Sequence, residues 1–126
     1  MKVLLDTHTF LWGLGDDDKL SARARQAIAV SERFWSLASI WEVLIKVRTG
    51  KLSMRHPVGD YLISQMSANG VSLLPVRLEH VLRIEELPLH HRDPFDRMLI
   101  AQSLEEKLPI VTADPAFERY DVELIW

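Results

Sequence analysis

Apolar residues fall into five short runs along the chain: Val3–Leu5, Phe34–Leu37, Val71–Leu74, Pro109–Val111 and Val122–Ile125. Each is too brief for a helix and has the uninterrupted character of a strand buried on both faces. Between the runs the apolar spacing changes to that of a helix, about 3.6 residues. It predicts helices over Ser21–Val30, Ile40–Thr49, Pro57–Asn69, Arg77–Glu86 and Pro94–Lys107, with a further short helix through Phe10 and Trp12. In the second of these, Ile40, Val43, Leu44 and Val47 share one face, and Glu42, Lys46 and Thr49 share the opposite one. Val58, Tyr61, Leu62 and Met66 repeat the apolar stripe in the third, which Asn69-Gly70 closes as a C-cap. Strands alternating with helices of this length predict a parallel sheet covered on both faces, an arrangement that binds ligands beyond the carboxyl ends of its strands.

Composition narrows the picture. At 126 residues and 48% hydrophobic, with no internal repeat, low-complexity tract or linker-like stretch, the sequence fits one domain spanning 1–126. The absence of cysteine removes disulfides, cysteine-ligated zinc and thiol nucleophiles, and makes the cytoplasm the expected compartment. No apolar stretch is long enough to cross a bilayer, and Asp6 interrupts the opening run too early for a secretory signal, so no membrane is expected as a partner. The formal charge of -3 argues mildly against nucleic-acid binding, unless cations neutralise several carboxylates and the basic residues gather elsewhere. Lys46, Arg48, Lys51, Arg55 and His56 are grouped in sequence, as are His90, His91, Arg92 and Arg97.

Five acids fall at strand exits or helix entrances. Asp6 follows the first run, and Glu42 is expected in the first turn of the helix after the second. Asp93 and Asp96 open the helix at Pro94, and Asp114 lies just beyond Val111. Each has a purely structural explanation. Ser39 and Glu42 have capping-box spacing, and Glu42 stands four residues before Lys46, as in a helical ion pair. Asp93-Pro94 and Asp114-Pro115 read as N-caps followed by proline, Asp96 at the third helical position suits the helix dipole, and Asp6 can cap the helix through Phe10. Helix caps do not, however, have to gather at one end of a sheet. Carboxylates that do so repel one another unless protonated or paired with cations, and hard divalent ions suit such all-oxygen clusters at phosphodiester-processing sites. No histidine spacing suggests zinc; His8, His56, His80, His90 and His91 read as solvated, structural or phosphate-contacting.

In this order, these residues resemble the PIN-domain family and, within it, the VapC-like toxins of bacterial type II toxin–antitoxin pairs. "VLLDTHTFLW" resembles the family's first strand and its leading acid, Asp6. "SLASIWEVLIK" is similar to the second motif and places its glutamate at Glu42. "HHRDPFDRMLIAQS" is similar to the third block, with Asp96 as its aspartate and Asp93 beside it, and "IVTADPAF" resembles the last, with Asp114 and the polar neighbour Thr112. The resemblance covers nearly the whole chain. It implies a three-layer α/β/α sandwich with a mainly parallel five-stranded sheet, usually homodimeric, that cleaves RNA with Mg²⁺ or Mn²⁺ and is silenced by a cognate antitoxin. Asp6, Asp96 and Asp114 are then expected to bind the principal ion, with Glu42 reaching it through water or assisting a second ion and Asp93 in support. Arg92, Arg97, Lys46 and Arg48 are candidate phosphate contacts.

Other classes stay open at this point. A haloacid-dehalogenase-type phosphatase needs a second aspartate where this chain has His8, and a receiver domain needs paired acids after the first strand. A Mg-dependent phosphatase or a catalytically inactive PIN-like binding module, whose acids only cap helices, is the alternative to a ribonuclease. Of the tryptophans Trp12, Trp35, Trp41 and Trp126, most read as core or interface residues rather than base-stacking platforms.

Overall fold

A computed structural model describes residues 1–15 and 17–126. Five strands, β1 (Lys2–Leu5), β2 (Glu32–Ser36), β3 (Val71–Leu74), β4 (Ile110–Val111) and β5 (Leu124–Ile125), form one sheet in the order β3-β2-β1-β4-β5. Every pairing is parallel. Among the described residues, six α-helices connect or flank the strands: α1 (Thr7–Gly15), α2 (Ala22–Val30), α3 (Leu37–Arg48), α4 (Val58–Ala68), α5 (Leu78–Arg83) and α6 (Pro94–Glu106).

The alternation of side chains along each strand sorts the apolar residues into two cores. Val3, Leu5, Trp35, Val71, Val111 and Ile125 face one way, against Phe10 of α1, Ala24 of α2, Ile40 and Val43 of α3 and Leu62 of α4. Their neighbours Leu4, Leu74 and Ile110 face the other way, against Leu99, Ile100 and Ala101 of α6 together with Phe117 and Tyr120. Apolar runs without polar interruption are what a sheet buried on both faces requires, and the three layers follow from it.

The helix ends are fixed by short-range chemistry. Ser21 Oγ accepts from the Ala24 amide to start α2, and the Asp93 carboxylate accepts from Phe95 and Asp96 amides to start α6, with Pro94 in the first helical position. Gly70, at φ 64°, turns the chain after α4 in the left-handed region, where the backbone calls for glycine.

Two boundaries differ from the sequence reading. Helix α3 begins at Leu37, three residues before Ile40, because Ser36 Oγ caps it by accepting from the Ala38 amide. Leu37 therefore belongs to the helix and not to the strand, Ser39 is no cap, and Glu42 falls in the second turn rather than the first. The segment Arg77–Glu86 divides into α5 and a 3₁₀ turn at Ile84–Glu86 instead of forming one helix. A 3₁₀ helix at Pro115–Arg119 follows the Asp114 cap.

Candidate active site

In a doubly wound sheet of this order, β1 leads away to β2 on one side and β4 to β5 on the other, so the chain parts at the β1–β4 boundary. Ligands bind in the crevice beyond the carboxyl ends of such a pair of strands. Asp6 is the residue immediately after β1, and Thr112 is the residue immediately after β4. The Thr112 hydroxyl donates to Asp6 Oδ2 at 2.6 Å, across 106 residues of sequence. The same Thr112 oxygen accepts from the Asp114 amide at 3.0 Å, which holds Asp114 at the end of β4.

All five predicted acids meet here. Asp6, Glu42, Asp93, Asp96 and Asp114 line one cavity of about 310 Å³, together with Lys46, His8 and Trp12. The space holds on the order of ten waters, at about 30 Å³ each, and so accommodates a hydrated ion beside a phosphate group. Among the described residues no three acid or histidine side chains close into a ready coordination cage; the carboxylates line the walls.

Each acid is held by its own local structure. Glu42 is almost fully buried. Its Oε1 accepts from the Thr7 hydroxyl at 2.8 Å and its Oε2 from the Lys46 ammonium at 2.6 Å. The helical ion pair expected from sequence is thus present, but the capping-box explanation of Glu42 is not. Thr7 Oγ1 also lies 2.8 Å from Ser39 Oγ. Because a carboxylate only accepts, the Thr7 proton goes to Glu42 and Ser39 donates to Thr7. Asp93 and Asp114 do act as caps, each accepting from backbone amides with one oxygen, which leaves the other oxygen of each for the cavity.

Asp96 Oδ2 lies 3.3 Å from His91 Nε2, and His91 Nδ1 lies 2.7 Å from the Tyr120 hydroxyl, which also accepts from Arg97 Nη1 at 3.1 Å. Arg97, Tyr120, His91 and Asp96 thus form a chain of hydrogen bonds that reaches the cavity from the core.

Electrostatics record the crowding. Burial, then the charges of Asp93, Asp6, Asp114 and Glu42, push the Asp96 carboxyl up to about 8. Burial also raises Asp6, against the opposing hydrogen bond from Thr112. Lys46 is held above the ordinary lysine range: burial works against its charge, but Glu42, Asp93 and Asp96 outweigh it. An excess of negative charge in an all-oxygen donor set fits a hard divalent cation.

Some of the basic residues considered from sequence are located differently. Arg97 is buried, and its guanidinium donates to the Pro88, Ile84 and Leu87 carbonyls as well as to Tyr120, so it braces the loop before α6 and is not a phosphate contact. Arg48 and Arg92 are exposed, and only Lys46 of the four lines the cavity. His8, Trp12 and His91 belong to the site or its support although no sequence spacing singled them out. Trp35 is core, Trp126 packs edge-on against Trp12, and Trp41 is 61% exposed.

The sequence model of the PIN domain matches residues 3–123, and the chain belongs to the PIN domain family. No curated protein gives a significant match. Among solved structures, the fold is similar to VapBC2 from Rickettsia felis bound to a DNA fragment from its promoter, with a TM-score of 0.71 at 13% identity over 98% of this chain and 97% of that one. DNA-bound VapBC from Salmonella typhimurium gives 0.71 at 14% identity, covering 98% and 96%. VapBC-5 of Mycobacterium tuberculosis, a member of the VapBC family of toxin–antitoxin systems, gives 0.62 at 17% identity over 98% and 96%. Among the described residues no helix is long and apolar enough to cross a membrane.

Proposed function

We propose that this chain is a Mg²⁺- or Mn²⁺-dependent endoribonuclease, the toxin of a type II toxin–antitoxin pair acting in the cytoplasm. The observation that carries the reading is the convergence of five carboxylates, drawn from the end of β1 to the end of β4, on one cavity at the β1–β4 boundary. Asp6, Asp96 and Asp114 are the residues assigned to hold the ion, with Asp93 beside them. Such an ion supplies a Lewis acid for the phosphate and lowers the pKa of water. The protein's own part is positional: Thr112 fixes Asp6, His91 orients Asp96, and His8 and Trp12 stand at the cavity where an RNA strand would pass. The VapBC likeness supports a cognate antitoxin as partner.

The purified protein is expected to cleave single-stranded RNA when Mg²⁺ or Mn²⁺ is supplied and to stop when the ion is chelated. Cleavage that persists in excess chelator would sink the metal-dependent assignment, and no cleavage with either ion would sink the nuclease itself.

Homodimerisation is part of the same proposal. Leu37, Trp41, Leu44 and Ile45 form an exposed apolar stripe along α3, and Leu78, Val81 and Leu82 expose another on α5. In sedimentation velocity the wild type is expected to run as a dimer and Trp41→Asp as a monomer. A monomeric wild type at micromolar concentration contradicts this part.

A further inference from the structure

Lys46 is set apart from an ordinary helical surface charge by where its partner lies. An exposed pair four residues apart contributes little to stability, because water screens both charges. Here the carboxylate partner has a side chain only 6% exposed and lines the same cavity as Asp93 and Asp96, while the Lys46 side chain is 31% exposed. Both Glu42 oxygens are already engaged, Oε1 by Thr7 and Oε2 by Lys46 at 2.6 Å, and Thr7 is backed by Ser39. Thr7, Ser39 and Glu42 are all buried, so this clamp is part of the packed structure and not a surface fluctuation.

We propose that Lys46 is the resident cation of the Glu42 side of the cavity, filling with an ammonium group the place a second divalent ion would otherwise take. Glu42 is then a positioning residue for Lys46 and not a ligand, and the chain holds a single divalent ion on the side of Asp6, Asp96 and Asp114. The charge balance supports this. Five carboxylates and a single ammonium line the cavity, and that ammonium lies 2.6 Å from Glu42 Oε2. A compact ammonium donates in three directions, so Lys46 serves Glu42 and still has donors for Asp93, Asp96 or a substrate phosphate.

The inference rests on the metal-dependent reading above, and calorimetric titration with Mn²⁺ alone separates the two. Wild type and Lys46→Arg are each expected to bind one Mn²⁺. Lys46→Met, which keeps the unbranched apolar stem but removes the ammonium, is expected to bind two, with circular dichroism confirming that the fold is unchanged. Two ions in the wild type, or one ion at unchanged affinity in Lys46→Met, overturns the role of Lys46 and leaves the metal-dependent reading standing. No binding by the wild type overturns both.

Discussion

Replacing Asp96 with Asn is expected to abolish most of the stabilisation of the protein by Mn²⁺, reduce RNA cleavage at least a hundredfold, and yet make the ion-free protein more stable at alkaline pH. The Asp96 carboxyl is pushed up to about 8 from an ordinary 3.8, first by burial and then by Asp93, Asp6, Asp114 and Glu42. An acid whose folded pKa lies above its unfolded one favours the folded state fully below the unfolded value, and that contribution is lost as the pH rises toward the folded one. The ion-free wild type should therefore lose stability between about pH 4 and pH 8, whereas an amide, with no proton to lose, removes this contribution. The gap in favour of Asp96→Asn is expected to open above pH 4 and to reach on the order of 3 kcal/mol by pH 8. Thermal melts at pH 4.5 and 8.5, with and without Mn²⁺, read both effects. A wild type whose ion-free stability is flat over that range, or an Asp96→Asn protein that keeps the full Mn²⁺ shift, contradicts the assignment.

The second large effect is expected at Arg97. Its guanidinium is buried and donates to Pro88 O at 2.7 Å, to the Tyr120 hydroxyl at 3.1 Å and to Ile84 O at 3.4 Å. Removing it leaves buried acceptors without donors, and hydrogen bonds from charged groups contribute about 1.5–3 kcal/mol each. Arg97→Ala is expected to lose at least about 3 kcal/mol in urea unfolding, and Arg97→Lys to recover little of it, because an ammonium cannot span the same fork. A phosphate-contacting arginine on the surface would instead change stability by less than about 0.5 kcal/mol. That outcome would restore the reading that sequence alone allowed.

Arg97 also shows where sequence reasoning stops. Its neighbours His90, His91 and Arg92 made a basic cluster in sequence, but those three precede α6 while Arg97 is on it, and only the packing of the 84–88 segment against α6 shows that Arg97 points inward. The acids were legible for the opposite reason. Strand exits and helix starts are marked by local signals such as Asp-Pro and the end of an apolar run, and a parallel sheet carries all its strand exits to one edge. Asp6, Asp93, Asp96 and Asp114 could be placed on that edge without coordinates. Glu42 was expected in the first turn of its helix, but the Ser36 cap shifts the start of α3 and Glu42 reaches the cavity from the second turn. His91 and Thr7 act through side-chain geometry spanning 5 and 35 residues, for which no periodic signal exists.

The bond between Thr112 and Asp6 ties the beginning of the chain to its last eighth. A polypeptide emerging amino end first from a ribosome can build the β1–β2–β3 half of the sheet early, but it cannot bring Asp114 and Thr112 to Asp6 until β4 has been synthesised and inserted beside β1. A chain that ends before β4 therefore lacks Thr112 and Asp114, and a truncation before residue 110 is expected to leave the acid cluster unassembled however well the remainder folds.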